Sequence, residues 1–447
     1  MTSKKVSPLA WVPTAYFAMG LPFIMLNLVA PIMFNDFGIS DTQVAFWTSL
    51  LILPWSLKPF WSPLLEMYRT KKFFVVATQL LSGVSLALVA MALPLPHFFP
   101  YVVAIMAVLA FSGSTHDIAL DGLYIHELTP TQQAQYIGWQ GAFYNIAKVT
   151  AMGGLVYLAG VLDEHFGTLY AWMIIMGASG ALLFLLGVYH LRILPSGGAA
   201  TVQADGSLRT TMRETWEVFR LFFRKRYIWI YIAWIVFYRF AEGLVIKIVP
   251  LFLKSPMADQ GLALTKSQIG LYYGTFGVAA FVVGSILGGY FISWRGLRKA
   301  LFPLCCIFNV PFAVYALLAW LQPSNPVMVC SAIVFEYFSY GFGYVGLTLF
   351  IMQQVAPGKH QMAHYAFGTA LANLGVMLPG MVSGVLSDAL GYRDFFLWSL
   401  LATIPAFLLT WVVPFSHDPE KEAKAQTATA SVRVVKAKKK LAKWKKH

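Results

Sequence analysis

The sequence is built from blocks of about twenty apolar residues, and this pattern limits the possible folds more than any other feature. One α-helix of that length crosses the hydrocarbon layer of a membrane. Inside lipid only helices and closed barrels pair every backbone amide, and barrel strands would alternate apolar and polar residues, which these blocks do not. Charged residues make up only 12% of the chain, against about 25% in soluble domains. We therefore expect an all-α integral membrane protein.

Twelve transmembrane helices are predicted, arranged as two six-helix halves. The predicted spans are 10–33, 43–65, 73–94, 99–123, 135–160, 169–192, 227–253, 267–291, 300–321, 326–352, 363–386 and 394–414. The predicted organisation is an N-terminal six-helix bundle (1–192), a cytoplasmic linker (193–226), a C-terminal six-helix bundle (227–414) and a basic cytoplasmic tail (415–447). A short amphipathic helix is expected near residues 211–224 of the linker.

The distribution of lysine and arginine predicts the orientation. Of the 33 basic residues, 26 fall in loops and termini on one side of the predicted spans, 3 on the other side, and 4 inside spans. Because cytoplasmic loops carry the excess of positive charge, both termini are predicted to be cytoplasmic. The net charge of +14 follows from this topology and gives no reason to expect nucleic-acid binding. The lysine-rich tail could lie on anionic lipid head groups or stay solvated.

The two halves share short sequence repeats. The run Gly160–Gly167 (GVLDEHFG) matches Gly384–Gly391 (GVLSDALG) at an offset of 224 residues. The basic loop Arg69–Lys72 matches Arg295–Arg298 at an offset of 226. A duplicated six-helix unit is typical of alternating-access carriers, which bind the substrate between their repeats.

Charged residues inside the spans indicate where that binding takes place. Each costs roughly 2.5–3.5 kcal/mol at the bilayer centre, so each needs a partner or a function. The charged residues are Lys58, Asp117, Asp121, Lys148, Arg239, Glu242, Lys247 and Glu336. Asp117 and Asp121 are one helical turn apart and share a face, and Arg239 and Glu242 are spaced to form an ion pair. A polar stripe in span 5 consists of Gln140, Tyr144 and Lys148, with Asn145 beside it.

These charges allow a structural and a functional interpretation. Arg239 and Glu242 could simply hold helices together, and Lys58 and Asp121 could lie near a cytoplasmic end. Asp117, Lys148 and Glu336 are expected to face a cavity. Lys247 is expected to reach the outer interface.

An enzymatic function is disfavoured. His116 and Asp121 have the His-x4-Asp spacing of glycerolipid acyltransferases, but five residues on a helix turn about 140°, so the two side chains would point apart. The sequence has no nucleotide-binding loop and no zinc-protease motif, so neither a cofactor nor a metal is predicted. A sensor derived from a carrier, binding ligand without transport, remains a further alternative.

Several motifs resemble one carrier family. The run Ser112–Gly122 (SGSTHDIALDG) resembles the Q-D-I-A-I-D-A stretch of the AmpG-like muropeptide permeases, with His116 where those proteins usually have Gln. Leu53–Leu65 (LPWSLKPFWSPLL) is similar to their L-P-Y-x-L-K-F-x-W-A-P-L-L, and Gly391–Phe396 (GYRDFF) to their last helices. These permeases belong to the peptide, acetyl-coenzyme A and drug branch of the major facilitator fold.

The resemblance implies a function and a location. It implies a proton-coupled symporter, monomeric in the inner membrane of a bacterium, that imports anhydro-muropeptides from periplasm to cytoplasm. Siderophore-like or acetyl-coenzyme A-type cargo is the alternative. In this fold spans 1, 4, 7 and 10 line the cavity.

On this basis we assign expected roles to the polar residues. The proton-coupling candidates are Asp117, favoured, then Asp121, Glu242 and Glu336. The candidates for binding an anionic small molecule are Lys58, His116, Gln140, Tyr144, Asn145, Lys148 and Arg239. The residues expected to brace a cytoplasmic gate are Arg69, Lys71, Lys72, Arg295, Arg298 and Lys299.

Overall fold

The computed structural model describes residues 6–39, 41–67, 69–198, 208–264 and 266–417. Within these ranges all regular secondary structure is helical, as the apolar blocks predict. The predicted tail lies outside the described residues from 418 onward, as does the middle of the predicted linker, 199–207. Nine helices of the described part are long and apolar enough to cross a membrane.

The helices follow the predicted spans along the chain. Those of the first half and the linker are α1 (Pro8–Ile24), α2 (Ala30–Asp36), α3 (Asp41–Met67), α4 (Lys71–Ala92), α5 (Phe98–Glu127), α6 (Pro130–Lys148), α7 (Val156–Phe166), α8 (Thr168–Ile193) and α9 (Leu208–Phe223). Those of the second half are α10 (Ile228–Tyr238), α11 (Phe240–Lys254), α12 (Lys266–Ile269), α13 (Val278–Arg295), α14 (Leu297–Asn309), α15 (Ala313–Leu321), α16 (Pro326–Phe350), α17 (Gln361–Leu401) and α18 (Ile404–Val412).

The difference between nine helices and twelve predicted spans has local causes. The predicted span 227–253 is interrupted at Arg239, whose backbone leaves the helical region and separates α10 from α11. The last two predicted spans share one 52-residue helical stretch, Gln361–Val412, in which Gly391 is non-helical. Helix α3 covers the predicted span 43–65 and contains three prolines, but it is not among the nine helices that meet the criteria of length and apolar character. The count of twelve stays a prediction.

Packing and backbone conformation repeat between the halves. Helix α4 packs against α5 and α8, and α14 packs against the corresponding α16 and α18. Likewise α1 packs against α6, and α11 packs against α17. Positive φ angles recur at Gly167 (79°) and Gly391 (72°), 224 residues apart, and at His97 (54°) and Gln322 (40°), 225 residues apart. The sequence repeat is thus also a structural repeat.

The most extensive contacts between the halves are made by two symmetry-related helix pairs, α6 with α13 and α3 with α17. The first crossing is close because Gly138 has no side chain; a Cβ there would lie 2.1 Å from the carbonyl oxygen of Ser285. In the second, Leu65, Met362 and Ala366 belong to one buried apolar cluster. Both contacts involve the predicted cytoplasmic parts of the helices, so the molecule is closed on that side.

The amphipathic linker helix expected near 211–224 is α9. Its Phe222 is fully buried, and the ring lies 4.7 Å from that of Phe367 on α17. Phe219 contacts both Phe367 and Phe60 of α3, with ring centroids 4.6 and 5.8 Å away. The linker helix therefore lies across the α3–α17 contact between the halves.

Candidate functional site

A central cavity of about 530 Å³ lies between the halves. Along α6, Gly138 makes the contact with α13, and the cavity-lining residues Gln140, Tyr144 and Asn145 follow toward the predicted outer end. Along α17, Ala366 lies in the contact, and Thr369 follows outward in the cavity wall. The cavity is thus on the outer side of the closed contacts, as in a carrier whose site faces away from the cytoplasm.

An ion pair crosses from α3 to α5 in the cavity wall. The Lys58 ammonium contacts the Asp117 carboxylate, and both residues are only 7% exposed. A buried charge is tolerated when it is paired, so each residue compensates the desolvation of the other. The two lie 59 positions apart in sequence, and only the packing of α3 against α5 brings them together.

Asp121 lies one turn beyond Asp117 on α5 and also lines the cavity. The Tyr16 hydroxyl on α1 donates to Asp121 Oδ1 at 3.0 Å, and the Gln140 amide on α6 donates to the Tyr16 oxygen at 2.7 Å. Asp121 is 8% exposed and forms no ion pair with any residue in the described ranges. Lys58 still acts on this carboxylate electrostatically, so Asp117 and Asp121 share one base, which cannot balance the charge of both.

The interruption of the seventh predicted span holds a second ion pair. Arg239 donates from Nε to Glu242 Oε2 at 2.7 Å and from Nη2 to Oε1 at 2.6 Å, a bidentate arrangement. The Tyr340 hydroxyl adds a bond to Glu242 at 2.9 Å, and the guanidinium lies 5.3 Å from the ring centre of Tyr344. Arg239 faces the central cavity, so its charge is directed at the space a substrate would fill.

Glu336 occupies a small neighbouring cavity of about 30 Å³ that it shares with Glu242. The Tyr315 hydroxyl donates to Glu336 Oε2 at 2.8 Å. Glu336 is 5% exposed, and none of the described basic residues forms an ion pair with it. Glu336 therefore corresponds to Asp121 of the first half, since each accepts a hydrogen bond from a tyrosine hydroxyl and forms no ion pair with a described residue.

Two of the predicted binding residues lie elsewhere. His116 is buried against α4, where its Nε2 lies 2.8 Å from the amide nitrogen of Gln79, and it does not line the central cavity. Lys148 is an exposed residue at the end of α6, also outside the cavity lining. Because His116 contacts Gln79 while Asp121 contacts Tyr16, the two groups of the acyltransferase alternative do not meet. The side chain of Lys247 lies outside the described residues.

The predicted gate residues fall into two groups. Lys71 and Lys72 donate to the carbonyl oxygens of Gly197 and Leu194 within the first half, and the Arg69 guanidinium lies over the ring of Phe73. Arg295, Arg298 and Lys299 line a separate cavity at the predicted cytoplasmic end, to which both halves contribute. Their role in gating stays a prediction.

Aromatic residues form much of the cavity wall, and apart from Tyr144 of the polar stripe the sequence did not indicate which ones. Tyr16, Trp55, Tyr340, Tyr344 and Tyr365 line it, among 35 Phe, 21 Tyr and 14 Trp residues spread over all spans. No spacing separates them from interfacial aromatics. Asn373 of α17 also lines the cavity and was not predicted. Its amide side chain within an apolar span is a feature by which the sequence could have indicated it.

Two repeated helical bundles around a polar central cavity define a secondary transporter of the membrane. The chain belongs to the Major Facilitator Superfamily, whose family model matches residues 14–378 and 239–446. This membership identifies a carrier and not an enzyme, as the sequence predicted.

Curated relatives extend the assignment. An anhydromuropeptide permease of Escherichia coli is 23% identical over 402 residues, which are 89% of this chain and 77% of the relative. A putative transporter AmpG 4 of Rickettsia felis is 22% identical, covering 87% of this chain and 92% of the relative. These relatives confirm the resemblance to AmpG-like permeases and agree with the predicted bacterial inner membrane.

Solved structures show the same fold. The transporter FucP in its outward conformation has a TM-score of 0.65 at 15% identity, covering 90% of this chain and 98% of FucP. The proton:xylose symporter XylE has a TM-score of 0.63 at 14% identity, covering 92% of this chain and 95% of that one.

Proposed function

We propose that the protein is a proton-coupled symporter that imports an anionic solute from periplasm to cytoplasm, with anhydromuropeptides as the favoured cargo. One observation carries the proposal: among the described residues, each half holds two buried acids and one base that is paired with one of them. In the first half these are Lys58, Asp117 and Asp121, and in the second they are Arg239, Glu242 and Glu336.

Each group has one carboxylate more than it has bases. In each, one acid is taken by the ion pair and the other is bonded only to a tyrosine hydroxyl. A buried carboxylate that has no base of its own is costly, and a single proton removes that cost. We therefore place the transported proton on Asp121 or Glu336, whereas the sequence favoured Asp117.

Coupling follows if proton and substrate affect the same ion pair. Asp117 and Asp121 share a face of α5 beside Lys58, so a proton on this pair of acids leaves the ammonium less fully neutralised. Lys58 can then bind a carboxylate of the substrate, with Arg239 facing it across the cavity. Binding of the proton thereby raises the affinity for the anion, and the reverse holds equally.

The cavity suits a cargo with sugar and peptide parts. Its volume is within the range of about 300–1,000 Å³ typical of small-molecule sites. Tyrosine and tryptophan rings provide flat apolar surface for sugar rings, and Gln140, Asn145 and Asn373 provide amides for hydroxyl and peptide groups. The name of the Escherichia coli relative supports this cargo.

The test is uptake of labelled anhydromuropeptide into proteoliposomes, with and without an inward proton gradient. We expect the gradient to raise accumulation at least several-fold in the wild type and in Glu164→Gln, an exposed acid outside the site. Equal uptake with and without the gradient would exclude proton coupling. Absence of uptake by folded protein would exclude this cargo and direct the assay to siderophore-like or coenzyme A-type compounds.

A further inference from the structure

A second large cavity, of about 460 Å³, lies at the predicted cytoplasmic end and is separate from the central one. The last residue of α13, Arg295, and the first turn of α14, with Arg298 and Lys299, contribute to its wall. Thr131 at the start of α6 and Ser416 after α18 complete other parts of the wall. Both halves therefore contribute to this cavity.

The charge of this cavity is unbalanced. Three of the described residues that line it are fully cationic and none is acidic. None of the three forms an ion pair with a residue in the described ranges. Arg298 and Lys299 also lie in the first turn of α14, where free N–H groups and the helix dipole add positive potential. The wall is therefore suited to an anion with several oxygen acceptors, such as a phosphate.

A groove whose side chains are mostly apolar continues from the cavity along α14 and α18, although polar atoms make up the larger part of its exposed surface. Cavity and groove share Arg298 and Phe415, and the guanidinium lies 6.0 Å from the Phe415 ring centre. Beyond Arg298 the groove is lined by Leu301, Phe302, Trp411 and Val412. Trp411 is 78% exposed and Val412 63% exposed, and apolar side chains this exposed at the end of a membrane helix are expected to face lipid.

We infer that this surface binds an anionic phospholipid, with the phosphate headgroup in the basic cavity and an acyl chain in the groove. The continuity of the two favours a lipid over a soluble phosphate, because a free anion would have no use for the apolar part. Basic pockets between membrane helices on the cytoplasmic side are suited to such headgroups. Since α6 contributes to the wall, a bound lipid also favours the conformation in which the halves meet at this end.

The experiment measures lipid binding to the purified, delipidated full-length protein by native mass spectrometry. Three ligands are compared: phosphatidylglycerol, phosphatidylcholine and glycerol phosphate, which is the soluble headgroup of the first. The test variant is R295Q/R298Q/K299Q. The matched control is R213Q/R220Q/R224Q, which removes the same charge from exposed positions in and next to α9. The basic tail is present in every protein.

We expect wild type and control to bind phosphatidylglycerol about tenfold or more tightly than phosphatidylcholine, and the test variant to lose that preference. Glycerol phosphate should not compete at the same concentration. Undiminished binding by the test variant, or an equal loss in the control, would overturn the site. Full competition by glycerol phosphate would overturn the lipid and leave a soluble phosphate ligand. The variant's thermal stability without lipid, and the single variant Arg298→Gln, separate lost binding from lost folding.

Discussion

Tyr16 and Tyr315 play the same part in the two halves of the molecule. Each donates its hydroxyl to a buried carboxylate that forms no ion pair with the described residues, Asp121 for the first and Glu336 for the second. The other acid of each half is in an ion pair, with Lys58 or Arg239. At the residue scale the transporter thus separates acids fixed by a base from acids that a proton can neutralise.

Breaking the Lys58–Asp117 ion pair should lower the free energy of unfolding. Asp117→Asn leaves the Lys58 charge buried without its partner, and the expected loss is about 3–5 kcal/mol. The double variant K58M/D117L removes both charges and should recover most of the loss, because an apolar pair of similar volume carries no desolvation cost. Thermal unfolding in detergent measures both. A double variant no more stable than Asp117→Asn would mean that the pair does not carry the effect.

The proton assignment predicts a selective defect. In Asp121→Asn the side chain imitates the protonated acid and can still accept the Tyr16 bond. Exchange of labelled for unlabelled substrate should persist, while gradient-driven accumulation falls by about tenfold or more. The same comparison on Glu336→Gln tells which of the two acids carries the proton. Normal accumulation by both variants would remove both from the mechanism.

How far these contacts could be predicted depends on their separation in sequence. Arg239 and Glu242 are three residues apart on one helix, so the spacing indicated their ion pair directly. Lys58 and Asp117 are each identifiable as buried charges, but their pairing depends on how α3 packs against α5. For His116 the prediction of a cavity role was wrong. The residue is next to Asp117 in sequence, but its side chain turns to α4 and contacts Gln79.

At the scale of elements, glycines decide where helices from the two halves can meet. Gly138 of α6 lies against the backbone of α13. In turn, a Cβ added to Gly289 of α13 would lie 3.0 Å from the Ala134 carbonyl oxygen of α6. By contrast, Gly154, farther out on the same span, has nothing within 4 Å of an added Cβ. Gly138 and Gly289 thus place a close approach in the predicted cytoplasmic part of the crossing.

The contrast between these glycines gives a matched pair of variants. Gly138→Ala places a methyl group 2.1 Å from the Ser285 carbonyl oxygen, so α6 and α13 must separate. We expect the closed state to lose about 1–3 kcal/mol and uptake to fall accordingly, with greater thiol labelling of a cysteine placed at Thr131. Gly154→Ala should match the wild type in both assays. Equal behaviour of the two variants would mean that this crossing does not close during transport.

Sequence periodicity predicted most helices but not their interruptions. The length of the apolar block indicated one continuous span, 227–253, yet the helix breaks at Arg239. From this residue with non-helical backbone the guanidinium reaches Glu242. Helix α9 was predictable because its apolar face is continuous, and the structure shows what that face covers, Phe60 and Phe367. Such tertiary partners are not encoded in the pattern of a single segment.

At the scale of the whole molecule, the internal repeat produces two halves that can move relative to each other. The most extensive contacts between the halves are two equivalent ones, α6 with α13 and α3 with α17, and the central cavity lies to one side of both. Moving the substrate to the cytoplasm requires these contacts to open while the outer ends of the helices approach. The sequence repeat predicted that two halves would move relative to each other. It could not predict which side is closed, because both conformations use the same sequence.

If the halves must separate at this end, a covalent link across it should stop transport. Gln353 of the second half donates to the Pro130 carbonyl oxygen of the first at 3.2 Å, so T131C/Q353C places two thiols near each other across the gate. The three native cysteines, Cys305, Cys306 and Cys330, are first replaced by alanine. A short, cleavable thiol crosslinker should lower uptake to about a tenth, and cleavage should restore it. The control A10C/Y189C links α1 and α8 of the first half at the same end, where the Tyr189 hydroxyl donates to the Ala10 carbonyl oxygen at 2.8 Å. Its uptake should survive crosslinking, because the first half moves as a unit. Full uptake by crosslinked T131C/Q353C would show that substrate passes without separation of these two segments, and the alternating-access assignment of this contact would have to be abandoned.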